Sequence, residues 1–101
     1  MSNKSRSLNP IVYEGKFTFN KLTKTIVDYR TELGLETNVV IPDKISGVEV
    51  EHIADYAFRK KGLELINISD SVKTIGKGAF QGNNLKSIKL PKSTIVDKSA
   101  F

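Results

Sequence analysis

Apolar positions return in a fixed order through the C-terminal two thirds of the chain. Leu63, Ile66 and Ile68 recur 22 residues on as Leu85, Ile88 and Leu90, and the pair Ala79-Phe80 recurs 21 residues on as Ala100-Phe101. A looser copy comes before them, in which Val39, Ile41, Ile53 and Ala57-Phe58 stand where Ile66, Ile68, Ile75 and Ala79-Phe80 do. A period in the low twenties marks a solenoid, in which each unit leaves an apolar face for its neighbour to cover. Within the unit, the alternation around Ile66-Asn67-Ile68 predicts a short strand with both isoleucines inward and Asn67 outward. The Ala-Phe pairs close each unit and are expected to form single helical turns. Their phenylalanines should stack in a column, Phe58 over Phe80 over Phe101, in edge or offset contact.

Ahead of the repeats the period changes to two. Phe17 and Phe19 alternate with polar neighbours, and residues 25–29 resume a strand-like composition after the polar stretch 20–24. This predicts a β-hairpin over residues 16–29, placed to cover the apolar end of the first repeat. The expected organisation is a flexible tail over 1–15 and a repeat domain over 16–101. That domain divides into a cap at 16–38, a first half-repeat at 39–58, and repeats at 59–80 and 81–101. Residues 30–38, with Gly34, read as the connection into the first repeat strand. Five more positions separate Ile41 from Ile53 than Ile68 from Ile75, so a loop should protrude at 44–47, where Gly47 suits a positive φ.

Composition narrows the chemistry. The chain has 101 residues, no cysteine and a net charge of +5, which gives one small domain without disulfides or thiolate chemistry. The charge is spread as +4 over residues 1–30, −2 over 31–62 and +3 over 63–101. In the repeats, opposite signs should face each other across coils, Glu64 with Lys86 and Glu51 with Lys73. With no aromatics interleaved on the outer face, this argues against a nucleic-acid partner. No apolar run is long enough for a signal peptide or a membrane span. Gly76-Lys77-Gly78 lacks the further glycine of a dinucleotide fingerprint, Gln81 standing in its place, and is read as a turn. His52 is the sole histidine and has no partner at metal-ligand spacing, so it is read as a solvated strand residue. Glu49, Glu51 and Asp55 have nothing to desolvate them and are read as a solvated face. No catalytic residue, metal ligand or cofactor is expected, and the chain is read as non-enzymatic.

The pattern I-P-x-x-I-x-G-x-x-V-x-x-I-x-x-x-A-F over residues 41–58, followed by two units ending in Ala-Phe, resembles the BspA-type (Treponema-type) leucine-rich repeat. The preceding segment from residue 16 is similar to the one such proteins place ahead of their first repeat. Ser69 stands where the pattern usually has proline, Ala54 and Asp97 where it has glycine, and the last unit is one residue short. The resemblance implies a leucine-rich-repeat solenoid of the α/β superhelix class, rich in β, with short parallel strands, helical turns and an N-terminal hairpin cap. It also implies surface display or secretion of the parent protein and adhesion to host, matrix or neighbouring-cell proteins, without cofactor or catalysis. The absence of a signal peptide leaves a cytoplasmic location open, and a structural spacer or assembly scaffold is the alternative reading.

Stacked strands carry their outward residues in ladders. Thr37, Glu64 and Lys86 make one, Asn38, Leu65 and Ser87 the next, and Val40, Asn67 and Lys89 the third. The candidate partner-binding face is therefore Val40, Glu64, Leu65, Asn67, Lys86, Ser87 and Lys89. The apolar edges of the last unit, residues 85–101, are a candidate surface for self-association.

Overall fold

The computed structural model describes residues 9–31 and 36–101. Residues 1–8 of the expected tail and residues 32–35 of the expected connection, Gly34 among them, lie outside the described residues. The strands are β1 (Ile11–Glu14), β2 (Phe17–Asn20), β3 (Thr25–Tyr29), β4 (Asn38–Val40), β5 (Lys44–Ile45), β6 (Val48–Glu49), β7 (His52–Ile53), β8 (Leu65–Asn67), β9 (Thr74–Ile75), β10 (Ser87–Lys89) and β11 (Ile95–Val96).

Each coil contributes one strand to each of two parallel sheets. One sheet runs β4-β8-β10 and the other continues the order β3-β7-β9-β11. Register follows the sequence repeat: Val39 pairs with Ile66 and Ile66 with Ile88, while Ile53 pairs with Ile75 and Ile75 with Val96. The isoleucines point between the sheets, so Ile53, Ile66, Ile68 and Ile75 are buried together with Leu63 and Val72. Coil-to-coil backbone bonds extend the ladders beyond the strands, as where the Ile41 N–H donates to the Asn67 carbonyl at 2.8 Å and the Gly76 N–H to the Ile53 carbonyl at 2.9 Å.

The cap is larger than the hairpin read from sequence. Residues 11–14, assigned there to the tail, form β1 and pair antiparallel with β2. In turn β2 pairs antiparallel with β3, and β3 then runs parallel to β7, joining Thr25 to His52 and Ile26 to Ile53. A bulge between Thr18 and Phe19 sets Phe19 opposite Ile26 and lets both Thr18 and Phe19 turn inward. The three-stranded cap thus covers the edge of the large sheet with its own buried Phe19, Ile26 and Tyr29.

Between β5 and β6, Ser46 (φ 51°) and Gly47 (φ 78°) are both left-handed, the geometry of a two-residue hairpin turn whose twist matches its strands. This is the protrusion expected at 44–47. Its tip is held to the cap, since the Ser46 N–H donates to Glu14 Oε1 at 2.9 Å, and Ile45 folds under it, fully buried.

No helix is present among the described residues, which corrects the helical turns expected at the Ala-Phe pairs. Each pair lies in a tight turn closed by bonds three residues apart, from Ala57 N–H to the Ala54 carbonyl and from Ala79 N–H to the Gly76 carbonyl, both 3.2 Å. Tyr56 (φ 60°) and Gly78 (φ 59°) inside these turns are left-handed, and a left-handed residue cannot continue a right-handed helix. The turns nevertheless deliver their phenylalanines to a column. Phe58 and Phe80 have ring centroids 5.0 Å apart and Phe80 and Phe101 5.3 Å. The cap lengthens the column, with Tyr29 stacked at 5.0 Å on Phe58.

Candidate functional site

On the outer face of the β4-β8-β10 sheet, alternation turns out Asn38 and Val40, Leu65 and Asn67, and Ser87 and Lys89. Register sets these in two rows across the coils, Asn38-Leu65-Ser87 and Val40-Asn67-Lys89. Parallel strands lie about 4.8 Å apart, so each row is a rigid line of three side chains on a backbone that cannot shift without breaking the ladder. Val40 is 63% exposed, an uncovered apolar residue in the row that ends at Lys89. Leu65 is half-buried and so less open than alternation suggests, and Ser87 and Lys89 are exposed. Glu64 and Lys86 sit one residue ahead of their strands and form an ion pair at 3.7 Å. Both side chains are well solvated, so the pair contributes at most about 1 kcal/mol. It leaves Lys89 as the uncompensated charge of the face, with no ion-pair partner among the described residues. The structure therefore brings all seven sequence-derived residues together on or beside one sheet.

The outer side of the other parallel sheet is different in kind. His52 and Thr74 are paired in register, and His52 Nδ1 lies 2.7 Å from Thr74 Oγ1. Glu51 is flanked by Lys24 and Lys73, each at 3.5 Å. Partial burial pushes the Glu51 carboxyl up, but the two ammonium groups outweigh it and hold the carboxyl below its ordinary value. These groups satisfy one another. No group of three or more His, Cys, Asp or Glu among the described residues is arranged to hold a metal ion, and no helix among them is long and apolar enough to cross a membrane.

Two features escaped the reading of the sequence. Asn83 links consecutive coils through four bonds: Oδ1 accepts from the Lys61 and Leu63 N–H groups at 2.9 and 3.0 Å, and Nδ2 donates to the Phe58 and Phe80 carbonyls at 2.7 and 2.8 Å. The second is the turn that joins β7 to β8, where Tyr56 and Lys60 are left-handed (φ 60° and 54°) at the places that the next coil fills with Gly78 and Gly82. Aligning the copies 22 residues apart shows both substitutions, and that mismatch is the signal available in the sequence.

Stacked parallel coils, a phenylalanine column and a stiff outward ladder define a leucine-rich-repeat solenoid. The chain belongs to the BspA-type leucine-rich repeat family, whose model, a region of six copies, matches residues 35–101. Among solved structures it is similar to a leucine-rich repeat protein from Bacteroides capillosus, with a TM-score of 0.80 and 28% identity over 91% of this chain and 74% of that one. It is also similar to the T. pallidum leucine-rich repeat protein, with a TM-score of 0.61 and 35% identity over 69% of this chain. The aligned part spans 32% of the T. pallidum protein's length. No curated protein matches the chain.

Proposed function

We propose that the chain is a non-catalytic protein-binding module that meets its partner through the outer ladder of β4, β8 and β10, and that it serves adhesion at a cell surface or in secreted form. The observation that carries this reading is the Val40-Asn67-Lys89 row. It sets an exposed apolar side chain, an amide and an unpaired cation on three strands whose spacing is fixed by backbone bonds. Partners are gripped best by groups already held in place, because little entropy is lost on binding. Family membership supports protein interaction as the class of function, and adhesion to host, matrix or neighbouring-cell proteins is the finer reading that the resemblance to BspA-type proteins suggests.

Bead adhesion tests it. Beads coated with the domain should bind surfaces carrying extracellular-matrix proteins or epithelial cells, and the double variant Val40→Glu/Lys89→Glu should lose binding while keeping its circular dichroism spectrum. A variant of Leu22, which lies in the turn between β2 and β3 and is 78% exposed, should bind like the parent. Binding by the parent no better than by bare beads, or equal binding by the ladder variant, contradicts the proposal.

A further inference from the structure

The turn that follows β7 carries a second surface, formed by Tyr56, Arg59 and Lys60. Tyr56 and Lys60 hold a left-handed backbone that the next coil reaches with glycine, so neither residue type is there to suit the main chain. Tyr56 is 45% exposed, with the Arg59 guanidinium carbon 5.7 Å from its ring centroid. Its ring also lies against Gly78, where a Cβ would collide with it. The next coil adds Lys77, whose carbonyl accepts the Tyr56 N–H at 2.9 Å, and Lys98 follows one coil further on, where the Gly78 N–H donates to the Ser99 carbonyl at 3.1 Å.

None of Arg59, Lys60, Lys77 and Lys98 has a carboxylate within ion-pair distance among the described residues. Lys77 and Lys98 are partly offset by Asp97, whose carboxyl is held below its ordinary value first by the Ser99 hydrogen bonds and then by these two ammonium groups, which leaves Arg59 and Lys60 as the ridge's main cations. Asp55 Oδ1 accepts the Lys77 N–H at 2.8 Å, and Asp97 Oδ1 accepts the Ser99 N–H and hydroxyl at 2.9 and 2.7 Å. An exposed tyrosine backed by arginine, with further cations beside it, is the composition that carries binding energy at protein interfaces.

We infer that this ridge is a docking site for an acidic segment of a protein, its carboxylates met by Arg59 and Lys60 beside the exposed Tyr56. A nucleic acid fits less well, because Arg59 and Gly78 already lie against the tyrosine ring on which a base would stack. The inference concerns a different surface from the ladder and stands or falls independently of it.

The test is an NMR titration of the full chain with a capped octaglutamate peptide at about 50 mM salt, where exposed charges are weakly screened. Octalysine and octathymidylate serve as comparisons. Octaglutamate should shift the amides of 55–60 and 77–78, and Arg59→Gln/Lys60→Asn should weaken binding about tenfold or more. Asparagine suits the left-handed backbone at 60, so this variant should keep its fold. Lys89→Gln/Lys92→Gln should change binding less than about twofold. Three outcomes overturn the inference: no binding, shifts centred on 86–92 or spread over all lysines, or octathymidylate binding the same amides as tightly as octaglutamate.

Discussion

Replacing Phe80 with alanine removes the middle of the aromatic column. The side chain is 1% exposed, and its ring lies 5.0 Å from Phe58 and 5.3 Å from Phe101. Phe58 cannot move in to fill the space, because Tyr29 and Phe17 hold it from the other side at 5.0 and 6.4 Å. Buried Phe→Ala changes cost about 3–5 kcal/mol, and two lost ring contacts of about 0.5–1.5 kcal/mol each put this one in the upper part of that range. A domain of this size has about 5–15 kcal/mol in total, so a large share of its stability goes. At roughly 4–8 °C per kcal/mol, the thermal midpoint should fall by about 15–40 °C, or the variant should be unfolded at room temperature. The assay is thermal unfolding followed by circular dichroism, with Phe101→Ala as the internal comparison. Phe101 is 43% exposed, and its loss should cost only about 1–2 kcal/mol. A fall of about a degree or two for Phe80→Ala, or equal losses for the two variants, would refute the stacked column as the axis of the fold.

Three further outcomes follow from the same geometry. Asn83→Ala strands two N–H donors and two carbonyls between coils, so urea unfolding should show a loss of about 2–4 kcal/mol; a loss below about 0.5 kcal/mol would mean that those groups find other partners. Glu51 has its carboxyl pKa lowered below 4.5 despite partial burial, so its contribution is in place above the ordinary carboxylate range and disappears as pH falls through the lowered value. Urea midpoints taken from about pH 6 to about pH 3 should therefore drop less steeply in Lys73→Met than in the parent, and identical slopes would count against the Lys24-Glu51-Lys73 cluster. In the last coil Ile88, Leu90, Ile95 and Phe101 are 40%, 38%, 73% and 43% exposed, so the isolated chain should self-associate through residues 85–101 as concentration rises in sedimentation; Ile95→Lys should suppress this, and a monomer at every concentration would contradict it.

Repeat spacing made the coil order, the strand register and the phenylalanine column legible, because a solenoid maps equal sequence positions onto equal places in space. The ladder residues could be named for the same reason: once Ile66 and Ile88 are paired, Asn67 must stand beside Lys89. What lay outside the repeat was harder to read. The segment Ile11-Val12-Tyr13-Glu14 has no period-two alternation, and it becomes a strand because β2 offers a free edge. The Ala-Phe turns have helix-like composition at Ala57 and Ala79, yet left-handed Tyr56 and Gly78 break the turn. Gly78 could have signalled this directly and Tyr56 only through its alignment with Gly78, since a tyrosine by itself gives no hint of positive φ. Asn83 was invisible as a tie because its partners are main-chain atoms on two coils.

The claim that the β4-β8-β10 ladder is the partner-binding face is tested most directly by site-specific photocrosslinking. A benzoylphenylalanine placed at position 40 or at position 22 replaces an apolar residue that is well exposed in either case, at 63% and 78%. Both variants would be incubated with surface-labelled epithelial cells or matrix proteins and irradiated. Position 40 should give a discrete protein adduct that is lost on adding Lys89→Glu, and position 22 should give none. Adducts of equal yield from the two positions, or from position 22 alone, would contradict it.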